Sequence, residues 1–443
     1  MMNADNRIKL NKIGVIKSLG LTILGIVLFL VKLPFLNDSV FNYLVSFFQS
    51  VIAPFSEWVL FVFIAFSWVG TVLGTCVKHP IIKKYPLLKK TFFGKKMQLV
   101  TLTVALIVVT SYIFLPLEFL NRESASLMGM CANMVVFMII AKLILPLLSD
   151  YGLSELLEVY LRPVMKPLLK VPGSAVVSLL TCMFVSVTVA VVMVADQFKK
   201  AVYNRKEAVI IISCMTIPSM PFAMLALSNV GLIDRFGTFY LYLGMVCLLV
   251  SVITVRFFPV RRIKETYESE NGEISAEMIP SGEPKWKRAL DGASKKALAA
   301  RYHPIDNVIG ITLNMISFIP SILAWGTIMK VILANTNIIN ILLYPYAMWL
   351  KLFGIAEGFE ISPVLILNMI DVVLSTVLLA ELNNAETVLK ILCMMMGQMV
   401  YMAPLLIALA CEGLTNMKEQ MGIWFVRIVL LVPAAVLLYP VFF

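Results

Sequence analysis

The segment from Gly173 to Pro221 decides how the rest of the chain is interpreted; it reads GSAVVSLLTCMFVSVTVAVVMVADQFKKAVYNRKEAVIIISCMTIPSMP. A first apolar run ends at a basic loop, and a second apolar run follows that is broken by Pro218 and Pro221. Polar residues also lie within the first run: Ser178, Thr181, Ser186 and Thr188. Apolar segments tolerate such interruptions at membrane depth only where they line a cavity or are packed in protein. We therefore interpret this stretch as half of a transport site.

The composition of the whole chain excludes a water-soluble protein. Of its 443 residues, 60% are hydrophobic and 14% are charged, and the mean hydropathy is +0.91. A soluble domain of this length could not cover so much apolar surface, so we expect the chain to cross the lipid bilayer several times. The formal charge of +11 lies mainly in short loops between apolar runs. This is typical of cytoplasmic loops that face anionic lipid, and we expect no nucleic-acid partner.

The sequence carries no signature of an enzyme, a metal site or a bound cofactor. The phosphate-binding glycine-rich loop, the H-E-x-x-H zinc motif and the G-x-S-x-G elbow are absent from it. The seven cysteines lie in or beside apolar segments without paired spacing, and neither His79 nor His303 has a partner at metal-ligand spacing. We therefore expect no disulfide, no metal site, and no cofactor apart from Na⁺ or H⁺ as a coupling ion.

The N-terminal part is predicted to contain four spanning helices, at about 18–35, 53–76, 98–117 and 126–148. Basic residues precede the first span, and seven lysines lie between Lys78 and Lys96 after the second, which places both stretches in the cytoplasm. The residues E-F-L-N-R-E at 118–123 are expected to form a short outside loop. Residues 149–171 then predict an amphipathic element in the cytoplasmic interface that Pro163 and Pro167 bend or break.

Charge decides how residues 174–197 meet the membrane. The segment is long enough for one full span or for two half-helices. The loop after it is basic, and a still more basic loop at 256–301 follows two further spans, at about 207–230 and 236–258. Both loops lie inside only if residues 174–197 form a re-entrant hairpin, which is what the positive-inside rule prefers.

A second copy of this pattern follows a polar segment at 260–303, which we expect to be a solvated cytoplasmic linker. Short matches recur about 180 residues apart: Gly129-x3-Asn133-Met134 with Gly310-x3-Asn314-Met315, Leu161-x-Pro163 with Leu343-x-Pro345, and Asn204-x2-Glu207 with Asn383-x2-Glu386. Their common order indicates a duplication of about 126–230 and 307–411. The first copy begins outside and the second inside, so the copies are inverted, as in many secondary transporters.

The second copy is expected to contain the counterparts of each element of the first. These are a spanning helix at 308–333, an interfacial element at 340–353, a second hairpin at 362–380, a partner span at 385–411 and a last helix at about 421–438. Tyrosine and tryptophan in the interfacial element suit the headgroup region on the outer side.

Polar residues within the apolar segments are the candidate site residues. Asp371 is the one acidic residue in the apolar run at 361–380, and a carboxylate in the membrane costs at least about 2.5–3.5 kcal/mol. We assign Asp371 to ion coupling, with a structural hydrogen-bond anchor as the alternative. The candidate substrate ligands are Ser186, Thr188, Ser219, Asn368, Ser375, Gln398, Tyr401, Asn133 and Asn314. The alternatives are hydroxyls that bond to carbonyls of their own helix and asparagines that pack helices together.

Several motifs resemble those of a known family. They are VYLRPVMKPLLKVPGSA at 159–175, YNRKEAVII at 203–211, DVVL from Asp371 and GQMVYM at 397–402. The chain resembles, over most of its length, bacterial YjiH-type membrane proteins, which carry the nucleoside-recognition or Gate domain. That domain also occurs in spore maturation proteins and ferrous-iron permeases, and it is distantly similar to concentrative nucleoside transporters. The family usually has a Gly-Asp-like pair in the first hairpin, where this chain has Val185-Ser186-Val187-Thr188, so no coupling role is carried over there.

The resemblance and the residue pattern together imply an all-α polytopic membrane protein with two inverted repeats, each with an interfacial helix and a re-entrant hairpin. The expected divisions are N-terminal spans at 1–125, a first Gate-like repeat with a connecting helix at 126–258, a linker at 259–306, and a second Gate-like repeat with a C-terminal helix at 307–443. The expected function is ion-coupled transport of a small polar solute such as a nucleoside, base or organic acid. The alternative is a non-transporting assembly protein.

The expected location is the bacterial cytoplasmic (inner) membrane, with the N-terminus in the cytoplasm. The expected partners are the small-molecule substrate, the bilayer, a second Gate-domain membrane protein and further copies of the same chain. The assembly alternative rests on the missing charge in the first hairpin, whereas intramembrane polar residues in both copies favour transport.

Overall fold

The computed structural model describes residues 11–33, 38–77, 79, 89, 91–92, 94, 96–115, 118–144, 146–184, 187–215, 217–267, 284–336, 341–364, 367–368, 372–398, 405, 408–409 and 411–443. Within these residues the regular structure is helical, apart from a short antiparallel pair in which Lys32–Leu33 lies beside Asp38–Ser39. The prediction of an all-α protein is therefore confirmed for the described part of the chain.

The helices are numbered here in chain order. They are α1 Lys12–Leu30, α2 Val40–Ile52, α3 Ser56–Val72, α4 Lys96–Phe114, α5 Glu118–Ile144, α6 Pro146–Ser149, α7 Leu153–Leu169, α8 Ala175–Phe184, α9 Val187–Lys199, α10 Arg205–Ser213, α11 Met220–Asn229, α12 Phe236–Thr254, α13 Lys285–Ala299, α14 Pro304–Asn335, α15 Tyr344–Leu352, α16 Gly358–Ile361, α17 Val372–Ala380, α18 Ala385–Gly397 and α19 Met417–Phe442. Short 3₁₀ turns lie at Ala53–Phe55, Ile233–Arg235 and Val260–Arg262, and a π-helical turn at Leu73–Val77.

Five helical segments in the described residues are long and apolar enough to cross a membrane. They are Val40–Val77, Lys96–Phe114, Leu120–Ile144, Ile233–Thr254 and Met417–Phe442. Each exceeds the roughly 18 consecutive apolar residues that mark a spanning helix. Many of their large apolar side chains are exposed on the outer surface of the molecule, as expected where lipid takes the place of water.

Two boundaries in the N-terminal part differ from the prediction. Residues 118–123, expected as an outside loop, form the start of α5, where the carboxylate of Glu118 lies in the first turn. A negative charge there is favourable because the helix N-terminus is partly positive. Residues 40–52, ahead of the expected second span, form α2, whose first turn is capped by Ser39 Oγ accepting from Asn42 N at 3.2 Å.

The helix α19 separates two ends of the molecule. Near its start, Glu419 forms an ion pair with Arg205 at 2.7 Å, and near its finish the Lys390 ammonium lies 4.7 Å above the ring of Tyr439. Twenty residues of helix correspond to roughly 30 Å, which is the thickness of the hydrocarbon layer. We call the side with Arg205 the basic end and the side with Lys390 the opposite end.

Both ends of the segment that contains α8 and α9 lie at the basic end. The two helices pack against each other, and Tyr203, which follows α9, lies beside Ser174 and Ser178 at the start of α8. Tyr203 is two residues from Arg205 and is 1% exposed. Burial raises the pKa of its hydroxyl, so Tyr203 stays neutral in this contact.

The segment that contains α17 has both of its ends at the opposite end. Glu357 precedes this segment, and Asn384 and Thr387 follow it. Glu357 accepts hydrogen bonds from Asn384 Nδ2 and Thr387 Oγ1, each at 3.3 Å. The backbone of Thr387 is one helical turn from Lys390, which marks the opposite end. Glu357 and the start of α18 therefore lie together at the opposite end.

The expected solvated linker contains a packed helix, which corrects that prediction for residues 285–299. Helix α13 lies against α1 and α7, where Ala289, Ala293 and Ala297 are buried. Lys296 forms an ion pair with Glu155 of α7 at 2.8 Å. Small residues at the contact let the three helix backbones approach closely. The polar composition of the segment does not indicate this packing. Residues 268–283 lie outside the described residues.

Helix α7 is the interfacial element predicted at 149–171, and it runs as one helix through Pro163 and Pro167. Gly152, just before it, has φ +105°, and a Cβ there would come within 2.7 Å of Ala293 Cα in α13. Glycine is required here both for the left-handed backbone and for the close approach of α13. Helix α15 lies within the range predicted for the second interfacial element, 340–353, and Trp349 Nε1 donates to Val429 O at 3.1 Å.

Candidate functional site

The first break in a helix lies between α10 and α11, where the sequence placed Pro218 and Pro221. Helix α10 starts at a capping box, in which Asn204 Oδ1 accepts from Glu207 N and Glu207 Oε2 accepts from Asn204 N. It ends after only nine residues, at Ser213. The missing N–H of proline and its fixed φ prevent the helix from continuing, and α11 starts at Met220.

The second helix end is that of α18, which also starts at an asparagine cap and ends at Gly397. The capping side chain is Asn384, which accepts from Thr387 N at 3.3 Å. The repeat comparison had paired Asn204 with Asn383, one residue earlier. Asn384 is the functional equivalent of Asn204 because its side chain, and not that of Asn383, reaches the third backbone N–H of the helix.

Arg427 of α19 connects the end of α10 with the end of α18. Its guanidinium donates to Gly397 O from Nε at 3.1 Å and from Nη2 at 2.7 Å, and to Cys214 O from Nη1 at 3.0 Å. Nη1 also lies 3.3 Å from Ser251 Oγ of α12. Arg427 is fully buried, with 0% of its surface exposed. The three acceptors are neutral oxygen atoms, and within the described residues Arg427 forms no ion pair.

The chemistry of the two helix ends explains this arrangement. The last carbonyls of a helix lack partners and carry a partial negative charge, so a cation next to them is stabilised. Cys214 is the residue after α10, and Gly397 is the last residue of α18, so one guanidinium serves both ends. A charged residue in the membrane interior costs at least about 2.5 kcal/mol and marks a functional site by default.

The sequence analysis missed Arg427. The signal was present, because a single arginine lies within the otherwise apolar run IWFVRIVLLV at 423–432. An isolated charge in a spanning helix predicts a functional or structural partner in the protein interior. Its partners are backbone carbonyls far away in sequence, and side-chain patterns do not reveal those.

A second polar group, on the segment before α17, connects that segment to α18. Asn368 Nδ2 donates to Gln398 Oε1 and to Met395 O, each at 3.0 Å, and both side chains are 1% exposed. The Oδ1 atom of Asn368 has no partner in the described part of the chain. A cavity of about 10 Å³, enough for one water molecule, lies next to Gln398 and Tyr346.

A larger cavity of about 320 Å³ lies about midway along α5. We call it the Asn229 cavity; its lining residues come from α2, α5, α11 and the end of α17 and are Gln49, Met130, Asn133, Ser228, Asn229, Ala380 and Glu381. Asn229 Nδ2 donates to Thr376 Oγ1 of α17 at 3.1 Å, and Gln49 Nε2 donates to Asn133 O at 3.2 Å. At the rim, Glu381 forms an ion pair with Lys330 at 2.8 Å.

The predicted ligands are distributed over these places. Asn368 and Gln398 contact each other, and Asn133 lines the Asn229 cavity. Ser375 is buried beside them in α17, where its Oγ donates to Val364 O at 3.3 Å. Thr188 lies on α9, Ser219 precedes α11, and the backbone of Asn314 lies in α14. Three further candidates fall outside the described residues: Ser186, Asp371 and Tyr401.

The described residues hold no group of three or more His, Cys, Asp or Glu side chains that could bind a metal ion. No disulfide joins any of the seven cysteines, all of which are described; Cys76 is exposed and the other six are buried.

Comparison with known proteins identifies part of the chain. A family model described as nucleoside recognition, the Gate domain, covers the second half of α5, the whole stretch up to and including α11, and the first turn of α12. Residues 131–239 match the Gate family. This Gate region contains Cys214 and Asn229, so it supplies one side of the Arg427 contact and of the cavity. The resemblance to Gate-domain proteins is confirmed for this range, and the YjiH-type assignment stays a prediction.

One relative extends the similarity beyond the Gate region. It is an uncharacterized protein of Alkalihalophilus pseudofirmus, 29% identical over 312 residues, which are 68% of this chain and 66% of the relative. No solved structure matches the chain at a significant level. The described residues hold five helices long and apolar enough to span a membrane, so the chain has the features of a multi-pass membrane protein, and its Gate region is similar to the nucleoside-recognition family.

Proposed function

We propose that the protein is a secondary transporter of a small polar solute, built from two inverted repeats with one re-entrant hairpin each. In the first repeat the hairpin is α8–α9, which leaves and returns to the basic end beside Tyr203. In the second repeat it is the segment around α17, which leaves and returns to the opposite end beside Glu357. Entry from opposite sides is the arrangement of inverted-repeat transporters.

The Asn229 cavity carries this proposal, and we assign it as the substrate site. Its volume of about 320 Å³ lies within the range of pockets for small organic ligands. Its polar atoms are amides and a hydroxyl from the Gate region and from α2, together with the carboxylate of Glu381. Amides both donate and accept, so they suit a solute with several donors and acceptors, such as a nucleoside or a base. Glu381 disfavours an organic acid, although its pairing with Lys330 reduces that repulsion.

Transport is proposed to be coupled to a proton or Na⁺ gradient, with Asp371 as the coupling group. Asp371 follows the segment that holds Asn368, whose buried Oδ1 atom lacks a partner in the described residues. An unsatisfied buried oxygen costs about 1–3 kcal/mol, a cost that a bound ion or water would remove. The candidate ligands Ser186, Thr188, Ser219, Ser375, Tyr401 and Asn314 are proposed to act in other states of the transport cycle.

The orientation follows from charge. Arg162, Lys200, Arg205 and Arg256 all lie at the basic end, and the positive-inside rule assigns that end to the cytoplasm. The start of α1 lies there too, since Lys17 Nζ donates to Ala300 O at 3.2 Å, next to α13. We therefore propose a bacterial inner-membrane location with a cytoplasmic N-terminus.

Uptake into proteoliposomes tests the function. Purified protein is reconstituted and challenged with labelled nucleosides, bases and small organic acids, with an imposed proton or Na⁺ gradient, and with liposomes lacking protein as the control. We expect gradient-driven accumulation of a nucleoside or base and none of the acids. Absence of uptake for the whole panel, with the protein correctly inserted, would contradict the proposal. It would favour the alternative, an assembly protein that works with a second Gate-domain protein or with further copies of itself.

A further inference from the structure

Arg427 contacts one helix end from each proposed repeat, and this is the observation that carries the inference. The oxygen atoms of Cys214 and Gly397 are 183 residues apart in the chain, yet both accept from the same guanidinium. Ser251 Oγ completes the set of oxygen atoms around it. The site is enclosed, because Arg427 is fully buried and Cys214 and Gly397 belong to buried helix ends.

Carbonyl oxygens at the C-terminal ends of half-helices are the groups that bind a cation in transporters with broken helices. They suit a cation because the partial charges of the two helix ends add at the point where they meet. In this protein the point of meeting holds a positive charge that is covalently attached to α19. Four N–H···O contacts at 2.7–3.3 Å fill the positions that a free ion would use.

We propose that Arg427 is a tethered cation, a permanent replacement for a free ion at an oxygen-lined site between the ends of α10 and α18. This inference rests on the proposed transport function where its test measures uptake. The half-helices need a cation between them in every state, and the chain supplies it, so no free Na⁺ is required at this position. We therefore favour coupling of solute transport to a proton that binds elsewhere in the protein.

The test uses removal and return of the cation. In full-length Arg427→Ala, the oxygen atoms of Cys214, Ser251 and Gly397 face an empty space of guanidinium shape. We expect the melting temperature in detergent to fall, and to rise again by roughly 2 °C or more with about 10 mM guanidinium chloride, because a ligand that binds the folded state stabilises it. Equal concentrations of urea and choline chloride serve as controls for denaturant and ionic strength.

Arg256→Ala is the matched control variant. Arg256 also donates to three backbone oxygens, those of Val252, Leu168 and Pro167, but it is exposed at the basic end. Its removal leaves the acceptors to water, so guanidinium is expected not to raise the melting temperature of this variant. An equal response of Arg256→Ala and Arg427→Ala, or an Arg427→Ala protein as stable as the wild type, would overturn the proposal.

Two further measurements keep the inference testable if Arg427→Ala does not fold. Arg427→Lys keeps the charge but not the forked geometry, and it is expected to fold with a lower melting temperature, whereas the uncharged Arg427→Gln is expected to be less stable than Arg427→Lys. Equal stability of the Lys and Gln variants would show that charge plays no part. The wild type is expected to melt at the same temperature in NaCl and choline chloride, and its uptake is expected to be unchanged without Na⁺.

The melting experiments do not depend on uptake. A protein that transports nothing but shows guanidinium rescue would disprove the proposed function and retain the tethered cation. If uptake needs Na⁺ and Arg427→Ala shows no guanidinium rescue, the proposed transport function is retained and the tethered cation is disproved.

Discussion

Asn229 donates a hydrogen bond from Nδ2 to Thr376 Oγ1 at 3.1 Å, and this bond joins the end of α11 to α17. The two residues belong to different proposed repeats and lie 147 positions apart in the chain. Asn229 also lines the Asn229 cavity, so a solute there would lie beside this contact between the two proposed repeats. A movement of one half relative to the other would therefore change the shape of the site.

Replacing Asn229 is predicted to weaken solute binding without unfolding the protein. Asn229→Leu keeps the volume but removes one amide from the cavity, and a hydrogen bond contributes about 0.5–1.5 kcal/mol, or a factor of roughly 2–10 in affinity. We expect the half-saturation concentration of uptake to rise by about that factor. The control is Asn335→Leu, because Asn335 is exposed and its amide bonds only to Val331 O of its own helix. Equal effects from both variants would argue against the cavity as the substrate site.

The topology of the first hairpin can be tested by labelling a cysteine at Lys200. Its side chain is 67% exposed at the basic end, so the substitution disturbs only an ion pair with Asp196. In a background with Cys76 replaced by serine, an impermeant thiol reagent is expected to label this position only from the cytoplasm. A cysteine at Glu386, 56% exposed at the opposite end, is expected to react only from outside. Labelling of both positions from one side would contradict the inverted repeat.

Deleting residues 268–283 is predicted to leave folding and transport largely intact. The sequence has no apolar periodicity there and is rich in flexible residues. The deletion starts at 268 because Glu265 pairs with Lys206 at 2.9 Å and Thr266 O accepts from Arg205 N at 2.8 Å. A short Gly-Ser segment replaces the deleted residues so that α13 can still reach its place. Normal expression with lost uptake would instead reveal a regulatory role of this segment.

The contact of α13 with the rest of the protein is predicted to be sensitive at Gly152. In Gly152→Ala the new Cβ would be strained by the left-handed backbone and would lie 2.7 Å from Ala293 Cα. Both effects should lower the melting temperature. The matched control is Gly231→Ala, at φ +72° with no atom within 4 Å of the new Cβ, which should cost only the backbone strain of about 1–2 kcal/mol. Similar melting temperatures for the two variants would show that the close approach of α13 is unimportant for stability.

Asp371→Asn is predicted to separate binding from coupling. The substitution keeps the size and most hydrogen bonds of the side chain and removes its charge, so the variant should insert normally and still bind solute. Burial disfavours the charged carboxylate and a bound cation favours it, which is why its protonation should follow occupancy of the ion site. We expect loss of accumulation against a gradient, measured by uptake, with solute binding retained in equilibrium measurements. Normal accumulation would end the coupling role, and failure to fold would support a structural anchor.

Local sequence determined much of this architecture. The apolar composition required a membrane protein, and Pro218 prevents α10 from continuing into α11 because proline lacks an N–H donor and restricts its neighbours, whereas Pro221 fits the first turn of α11. Asn204 and Glu207 formed the capping box that their spacing allows. These features depend on residues only a few positions apart, so the chemistry of a short segment is sufficient to predict them.

Only the tertiary structure decided where the polar groups meet. The contact of Arg427 with Cys214 O and Gly397 O joins residues up to 213 positions apart through backbone atoms, whose chemistry is the same in every residue. The docking of α13 and the Asn229 cavity likewise depend on which helix faces come together, and hydrophobic periodicity does not specify a partner for a face. Composition and proline spacing thus determined the membrane class of the protein and the position of the helix break in the first repeat. Helix packing determined the site, because a buried carbonyl at a helix end must be satisfied by some polar group, and packing decides which distant group reaches it.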